Sequence, residues 1–86
     1  MINNKCKYCI INNYNIEAVK VQGLWADNGN RNAWVYLSNG HGWKKIGNSN
    51  DTAFINMLTQ LISAKNTNSN CNILINNGLI HKIYVF

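Results

Sequence analysis

DTAFINMLTQLISAK, residues Asp51 to Lys65, is the segment with a clear helical period. Phe54, Leu58, Leu61 and Lys65 fall at helical spacing, with Ile55, Met57 and Ile62 beside them. This apolar stripe is wider than packing on one face of a small sheet requires. The expectation is a helix apolar on two sides, one of them against a sheet. Asp51 reads as the N-cap, since its carboxylate can accept a free N–H of the first turn. The run NTNSN after Lys65 ends the helix. On either side of it the chain reads as strand and turn, so the order is three strands, one helix and two strands.

Before the helix, residues 14–26 form the first strand. Val19 and Val21 share a face with Glu17, and Ala18, Lys20 and Gln22 share the other. Gly23 marks a bulge or tight bend. Asn28-Gly29 is a strong hairpin signal. Residues 32–38 alternate, with Ala33, Val35 and Leu37 on one side and Trp34 and Tyr36 on the other. A turn over Asn39 to Gly42 leads to a third strand, residues 43–47, which completes a meander.

After the helix, Cys71 to Asn76 forms the fourth strand, and Asn77-Gly78 turns into the fifth, Leu79 to Phe86. In the fifth strand Leu79, His81, Ile83 and Val85 are expected on one face. Ile80, Lys82, Tyr84 and Phe86 are expected on the other. A surface carrying Trp34, Tyr36, Tyr84 and Phe86 is too apolar to leave in water, so a neighbouring subunit or a ligand is expected to cover it. Three strands, a helix and two strands is the element order of the OB-fold, a five-stranded Greek-key barrel with its helix between strands 3 and 4. Residues 1–13 read as a polar lead-in and 14–86 as a single mainly β domain of this kind.

At 86 residues, one small domain buries roughly 60–65% of its unfolded surface and gains from oligomerisation. An apolar fraction of 47% with 13% charged residues argues against disorder. Asparagine recurs along the chain, which an A/T-rich codon bias explains as readily as selection for an amide-rich, hydroxyl-binding surface. The net charge of +5 suits an anionic sugar or nucleic acid, but the lysines are scattered apart from Lys5/Lys7 and Lys44-Lys45. No apolar run approaches the ~18 residues of a membrane span. The apolar part of the N-terminus, YCII, is too short for a signal peptide. The expectation is either a cytoplasmic protein or a mature form whose signal has been removed and a Met added.

Cys6-Lys7-Tyr8-Cys9 has the spacing of half a zinc site or a redox pair, but no second close pair follows. The cysteines read as ordinary thiols, or as one disulfide to Cys71 with a thiol left over. No metal or cofactor is expected. His41 and His81 lie far apart, the three carboxylates lie in separate segments, and no catalytic triad or phosphate loop is visible. The chain reads as a non-enzyme without catalytic residues.

From about Ile16 to Phe86 the chain resembles the B subunits of bacterial AB toxins of the subtilase-cytotoxin and typhoid-toxin, pertussis-like type. The resemblance rests on the AWVYLSNGHGWKKI hairpin, the helix ending NMLTQLISAK, the strand CNILIN and the final IYVF. It implies a secreted, lectin-like homopentameric ring of OB-folds with helices around a central pore. Such a ring binds cell-surface glycans and carries an enzymatic A subunit. The positions matching the family's glycan sites are Tyr14, Asn15, Lys65 and Asn66. There an aromatic ring can stack on a sugar, amides can bond hydroxyls and a lysine can pair with a carboxylate. Equally, Tyr14 can pack on a barrel rim and Lys65 can complement the helix dipole.

A second candidate surface joins Trp25, Arg31, Trp34, Tyr36 and Trp43 with Lys44 and Lys45, and Tyr84 and Phe86 add to the exposed aromatics. Cations interleaved with aromatics on OB strands 2 and 3 suit single-stranded nucleic acid. The same residue types suit a subunit interface. The expected function is glycan binding by a ring-forming subunit. The alternatives are a nucleic-acid-binding module and a structural oligomer.

Overall fold

The structure, a computed structural model, describes residues 13–47 and 49–86. The lead-in with Cys6 and Cys9 lies outside the described residues. Five strands, β1 (Asn13–Ala26), β2 (Ala33–Leu37), β3 (Gly42–Ile46), β4 (Asn70–Asn76) and β5 (Leu79–Val85), accompany one helix, α1 (Asp51–Thr67), between β3 and β4. The element order is the one read from the sequence. The sheet closes in a ring in the order β1-β2-β3-β5-β4, with β4 returning to β1.

Closure depends on the length of β1. Its first half pairs antiparallel with β4, from Tyr14↔Ile75 to Lys20↔Asn70. Its second half pairs with β2, from Val21↔Leu37 to Ala26↔Ala33. The hand-over is pinned at Lys20, whose N–H donates to Ser38 Oγ (2.9 Å) and whose carbonyl accepts from Ser38 N–H (3.0 Å). The remaining seam is a short parallel one, Lys45↔Leu79 and Ile46↔Ile80, continued by Gly47 N–H donating to Ile80 O (2.9 Å). A Cβ at Gly47 would lie 2.5 Å from that carbonyl oxygen, so the close approach leaves no room for a side chain.

The interior is wholly apolar among the described residues. Ile16, Val19, Val21, Val35, Leu37, Ile46, Ile73, Ile75 and Ile80 line it, and Leu61 and Ala64 of α1 close it. Phe54, Met57, Leu58, Leu24, Ile83 and Val85 pack around them.

Strict alternation fails in two strands because each carries an extra residue. In β1 the register shifts between Ile16 and Val19, and Ala18 takes a left-handed φ of 56°. Ile16 and Val19 therefore both point inward, while Glu17 is exposed and does not share the face of Val19 and Val21. The expected irregularity at Gly23 is present as a second register shift, between Val21 and Gly23. In β5, Ile80 faces Ile75 and Lys82 faces Leu74, so His81 is the extra residue. Ile80 is thus buried, on the opposite side from Tyr84 and Phe86, contrary to the alternation expected from sequence.

The helix starts one residue earlier in its capping than expected. Asn50, in extended conformation, is the N-cap, and its side chain accepts from Ala53 N–H at 2.8 Å. Asp51 is instead the first helical residue, and its carboxylate takes Arg31 Nε at 2.6 Å. The helix runs on to Thr67 and ends at Asn68, whose left-handed φ of 52° returns its N–H to Ala64 O and Lys65 O.

The turns differ in type. At Asn77-Gly78 both residues have positive φ, 53° and 76°, as a two-residue type I′ hairpin requires. The β1–β2 connection is longer than Asn28-Gly29 suggested. It spans six residues between Ala26 and Ala33, and its left-handed residue is Arg31 (φ 50°). No described helix is long and apolar enough to cross a membrane.

Candidate functional site

Two depressions mark the outside of the ring. The first, about 170 Å³, lies over the β1–β4–β5 side and is lined by Asn15, Glu17, Asn72, Leu74, Lys82 and Tyr84. The register builds it. Asn15 faces Leu74 across β1 and β4, and Leu74 faces Lys82 and Asn72 faces Tyr84 across β4 and β5.

The remaining wall lies beside the bulge. A non-glycine residue in the left-handed region costs of order 1 kcal/mol or more and persists only when its surroundings fix it. Here Ala18 N–H donates to Asn72 Oδ1 at 3.0 Å, which leaves the Asn72 NH₂ as a donor. Asn15 and Glu17, two residues apart ahead of the inserted residue, share the outer surface by plain alternation, and the bulge returns Val19 to the interior behind them. The result is a carboxylate, an ammonium, two amides and a phenol on one concave patch, which can grip a polar ring by its hydroxyls and stack on its C–H face.

The second depression is larger and shallower, about 630 Å³, and is bordered by Trp25, Asn32, Trp34 and Trp43. Trp25 faces Trp34 across β1 and β2. Tyr36 faces Trp43, and Trp34 faces Lys45, across β2 and β3. Tyr36 and Trp43 meet edge to face with centroids 5.2 Å apart. The tip of Trp43 reaches β1, passing 3.5 Å from where a Cβ on Gly23 would stand.

The β1–β2 loop holds Trp34 from the side. Its Nε1–H donates to Asn32 Oδ1 (3.1 Å), and Asn32 Nδ2 donates in turn to Asp27 Oδ1 (3.0 Å). Gly29 N–H donates to the same carboxylate oxygen at 2.8 Å. The Gly29 N–H, with Asn32 second, holds the Asp27 carboxyl below its ordinary value. Lys45 Nζ lies 5.9 Å from the Trp34 ring centre.

The residues singled out from the sequence are divided by this geometry. Asn15 lines the first depression, whereas Tyr14 points to the opposite side of β1, over the end of the core beside Ile75. Lys65 and Asn66 belong to the last turns of α1, which leads into the start of β4 near Lys20. Tyr14 pairs near the other end of β4, about 17 Å away along the strand. One chain therefore does not bring Tyr14 and Asn15 together with Lys65 and Asn66.

Trp25, Trp34, Tyr36, Trp43 and Lys45 do share one surface. Arg31 is instead turned to Asp51, and Lys44 Nζ donates to His41 O (2.9 Å). Tyr84 belongs to the first depression, not to the tryptophan surface. Phe86 follows β5 and is 72% exposed. Glu17, Asn72, Leu74 and Lys82 were not singled out from the sequence. The alternation of Asn72 and Leu74 against Cys71 and Ile73 was the available signal for two of them.

Among the described residues no group of three or more His, Cys, Asp or Glu could hold a metal ion. Among the described residues Cys71 has no disulfide partner, and it is buried. Burial pushes its pKa up, and Lys20 pulls it part of the way back. Comparison with family models, curated proteins and solved structures gives no match for this chain.

Proposed function

We propose that this chain is a non-enzymatic, glycan-binding subunit with an OB-fold, assembled into a ring of identical copies in the manner of AB-toxin B subunits. The observation that carries the sugar reading is the first depression, where Asn15, Glu17, Asn72, Lys82 and Tyr84 converge and the left-handed Ala18 of the bulge holds the Asn72 amide. In the proposed complex Tyr84 stacks on the C–H face of a sugar ring. The amides and Glu17 bond its hydroxyls, and Lys82 supplies a charge-assisted donor.

The ring rests on a second feature. Ile55 and Ile62, two turns apart on α1, are 57% and 42% exposed, and they form the helix side that the sheet leaves uncovered. Neighbouring helices would cover that side around a pore. A glycan reader of this kind acts outside the cell and delivers an enzymatic partner chain.

A glycan array run beside single-stranded DNA and RNA titrations at two salt concentrations tests this reading. Binding to glycans, weakened by Glu17→Gln and by Tyr84→Ala and nearly flat in salt, is expected. A blank array with tight oligonucleotide binding that falls steeply with salt overturns it in favour of a nucleic-acid module. A blank array with no oligonucleotide binding leaves a structural ring.

A further inference from the structure

We infer that the tryptophan surface on β1, β2 and β3 is a second binding site, separate from the Glu17 depression, and that its ligand is a neutral, extended saccharide chain. Three indoles from three adjacent strands face one shallow depression. With strands about 4.8 Å apart and same-face residues about 6.6 Å apart along a strand, the indole-bearing positions span about 12 Å. That is roughly two to three sugar rings, so the surface is longer than a single terminal sugar needs.

The rings are held before any ligand arrives. Trp34 is anchored by Asn32 and, through it, by Asp27. Trp43 is braced by Tyr36, and its tip lies over β1 at Gly23. Rigid aromatic side chains on a sheet lose little conformational freedom on binding.

Charge and area select the occupant. Of the cations near this surface, Lys45 is over Trp34, Lys44 is on the His41 carbonyl and Arg31 is on Asp51. Lys44 and Lys45 keep their charge in these contacts, but two lysines fall short of the several phosphate contacts on which nucleic-acid binding rests, whereas a neutral chain needs none. Trp25 and Trp43 are each 48% exposed and Tyr36 is 39% exposed. With Trp34 they present about 300–400 Å² of aromatic surface. A stable protein interface buries about 800 Å² per partner, so the patch is too small for a second copy and suited to C–H stacking by pyranose rings.

The test is a titration of the full-length chain with soluble β-1,4-linked oligomers of glucose and of N-acetylglucosamine, from one to six rings. It is read by calorimetry and by the indole N–H resonances, a signal the Glu17 depression does not contain. The expected result is joint movement of the three indole signals, with affinity rising up to about three rings and then levelling. Trp43→Ala and Trp25→Ala, each at a half-exposed position, should each weaken the longest oligomers about three- to tenfold. Binding should be flat between low and moderate salt. The inference is overturned if no oligomer moves the indoles, if affinity does not grow with chain length, or if oligonucleotides move them with a steep salt dependence. It is also overturned if the indoles are shielded from a soluble quencher by contact between copies.

Discussion

Replacing Gly47 with alanine tests the reasoning about ring closure most directly. The added Cβ would stand 2.5 Å from Ile80 O and 3.5 Å from Met57 Cε. The first neighbour is backbone, held by the hydrogen bond from Gly47 itself, so it cannot swing aside as a flexible side chain would. Overpacking of this kind costs about 1–3 kcal/mol, and loss or lengthening of the Gly47–Ile80 hydrogen bond adds about 0.5–1.5 kcal/mol. Against this, alanine restricts the unfolded chain and returns about 0.4–1 kcal/mol. The expected net loss is about 0.5–4 kcal/mol, with a mid-range value of about 2 kcal/mol, a substantial share of the roughly 4–13 kcal/mol typical of a chain this size.

Urea titration would show this as a lower midpoint, and a thermal scan as a fall of about 8–16 °C at the mid-range value. Gly23→Ala is the control, because its Cβ meets Tyr36 Cβ at 3.4 Å and Trp43 Cη2 at 3.5 Å, which is ordinary contact. It should stay within about 1 kcal/mol of the parent. A Gly47→Ala protein as stable as the parent would refute the claim that the β3–β5 seam depends on that close approach.

Other substitutions separate the remaining roles. Leu61→Asp, at a fully buried position, should abolish folding by circular dichroism. Ile55→Asp with Ile62→Asp should preserve the folded spectrum and lower the mass seen by light scattering. Asn50→Ala should cost about 1 kcal/mol through loss of the N-cap, and Asp51→Asn less than about 1 kcal/mol because the Arg31 pair is solvent-exposed; paired urea titrations distinguish them. Cys71 carries a raised pKa in the folded chain. Its contribution is fully present below about pH 8.5, where the unfolded thiol is also neutral, and is lost as pH climbs through the folded value. The alkaline decline in urea midpoint should therefore be shallower in Cys71→Ala.

The order of elements was legible because period and turn chemistry are local. The α1 stripe, the Ala33/Val35/Leu37 alternation and the Asn77-Gly78 pair each carry their own signal. The inserted residues at Ala18 and His81 were not legible, because a bulge leaves a strand apolar on average and shows only when register is compared with the partner strand. That is why Glu17 was grouped with Val19 and Val21, and Ile80 with Tyr84 and Phe86.

The N-cap was misplaced by one residue, since Asn50 and Asp51 are both competent caps and the choice depends on backbone conformation. The candidate sites suffered most, because they depend on which strands become neighbours. Strand alternation puts Tyr14 and Asn15 on opposite faces of β1, and the antiparallel pairing with β4 leaves the helix end at the far end of the strand. Pairing of β1, β2 and β3 unites their tryptophans.

The division of β1 between two partners has a consequence for the birth of the molecule. Its first half pairs with β4, 50 or more residues downstream, and Phe86 N–H, just past β5, donates to Asn70 O at the start of β4. Folds dominated by such distant pairings form slowly. During synthesis the β1–β2–β3 meander emerges first, with Val19, Val35 and Leu37 uncovered and the outer edge of Tyr14 to Lys20 unpaired. Until the C-terminal hairpin leaves the ribosome, the nascent chain is an open sheet with a sticky edge. Holdase chaperones would have their longest opportunity during that interval.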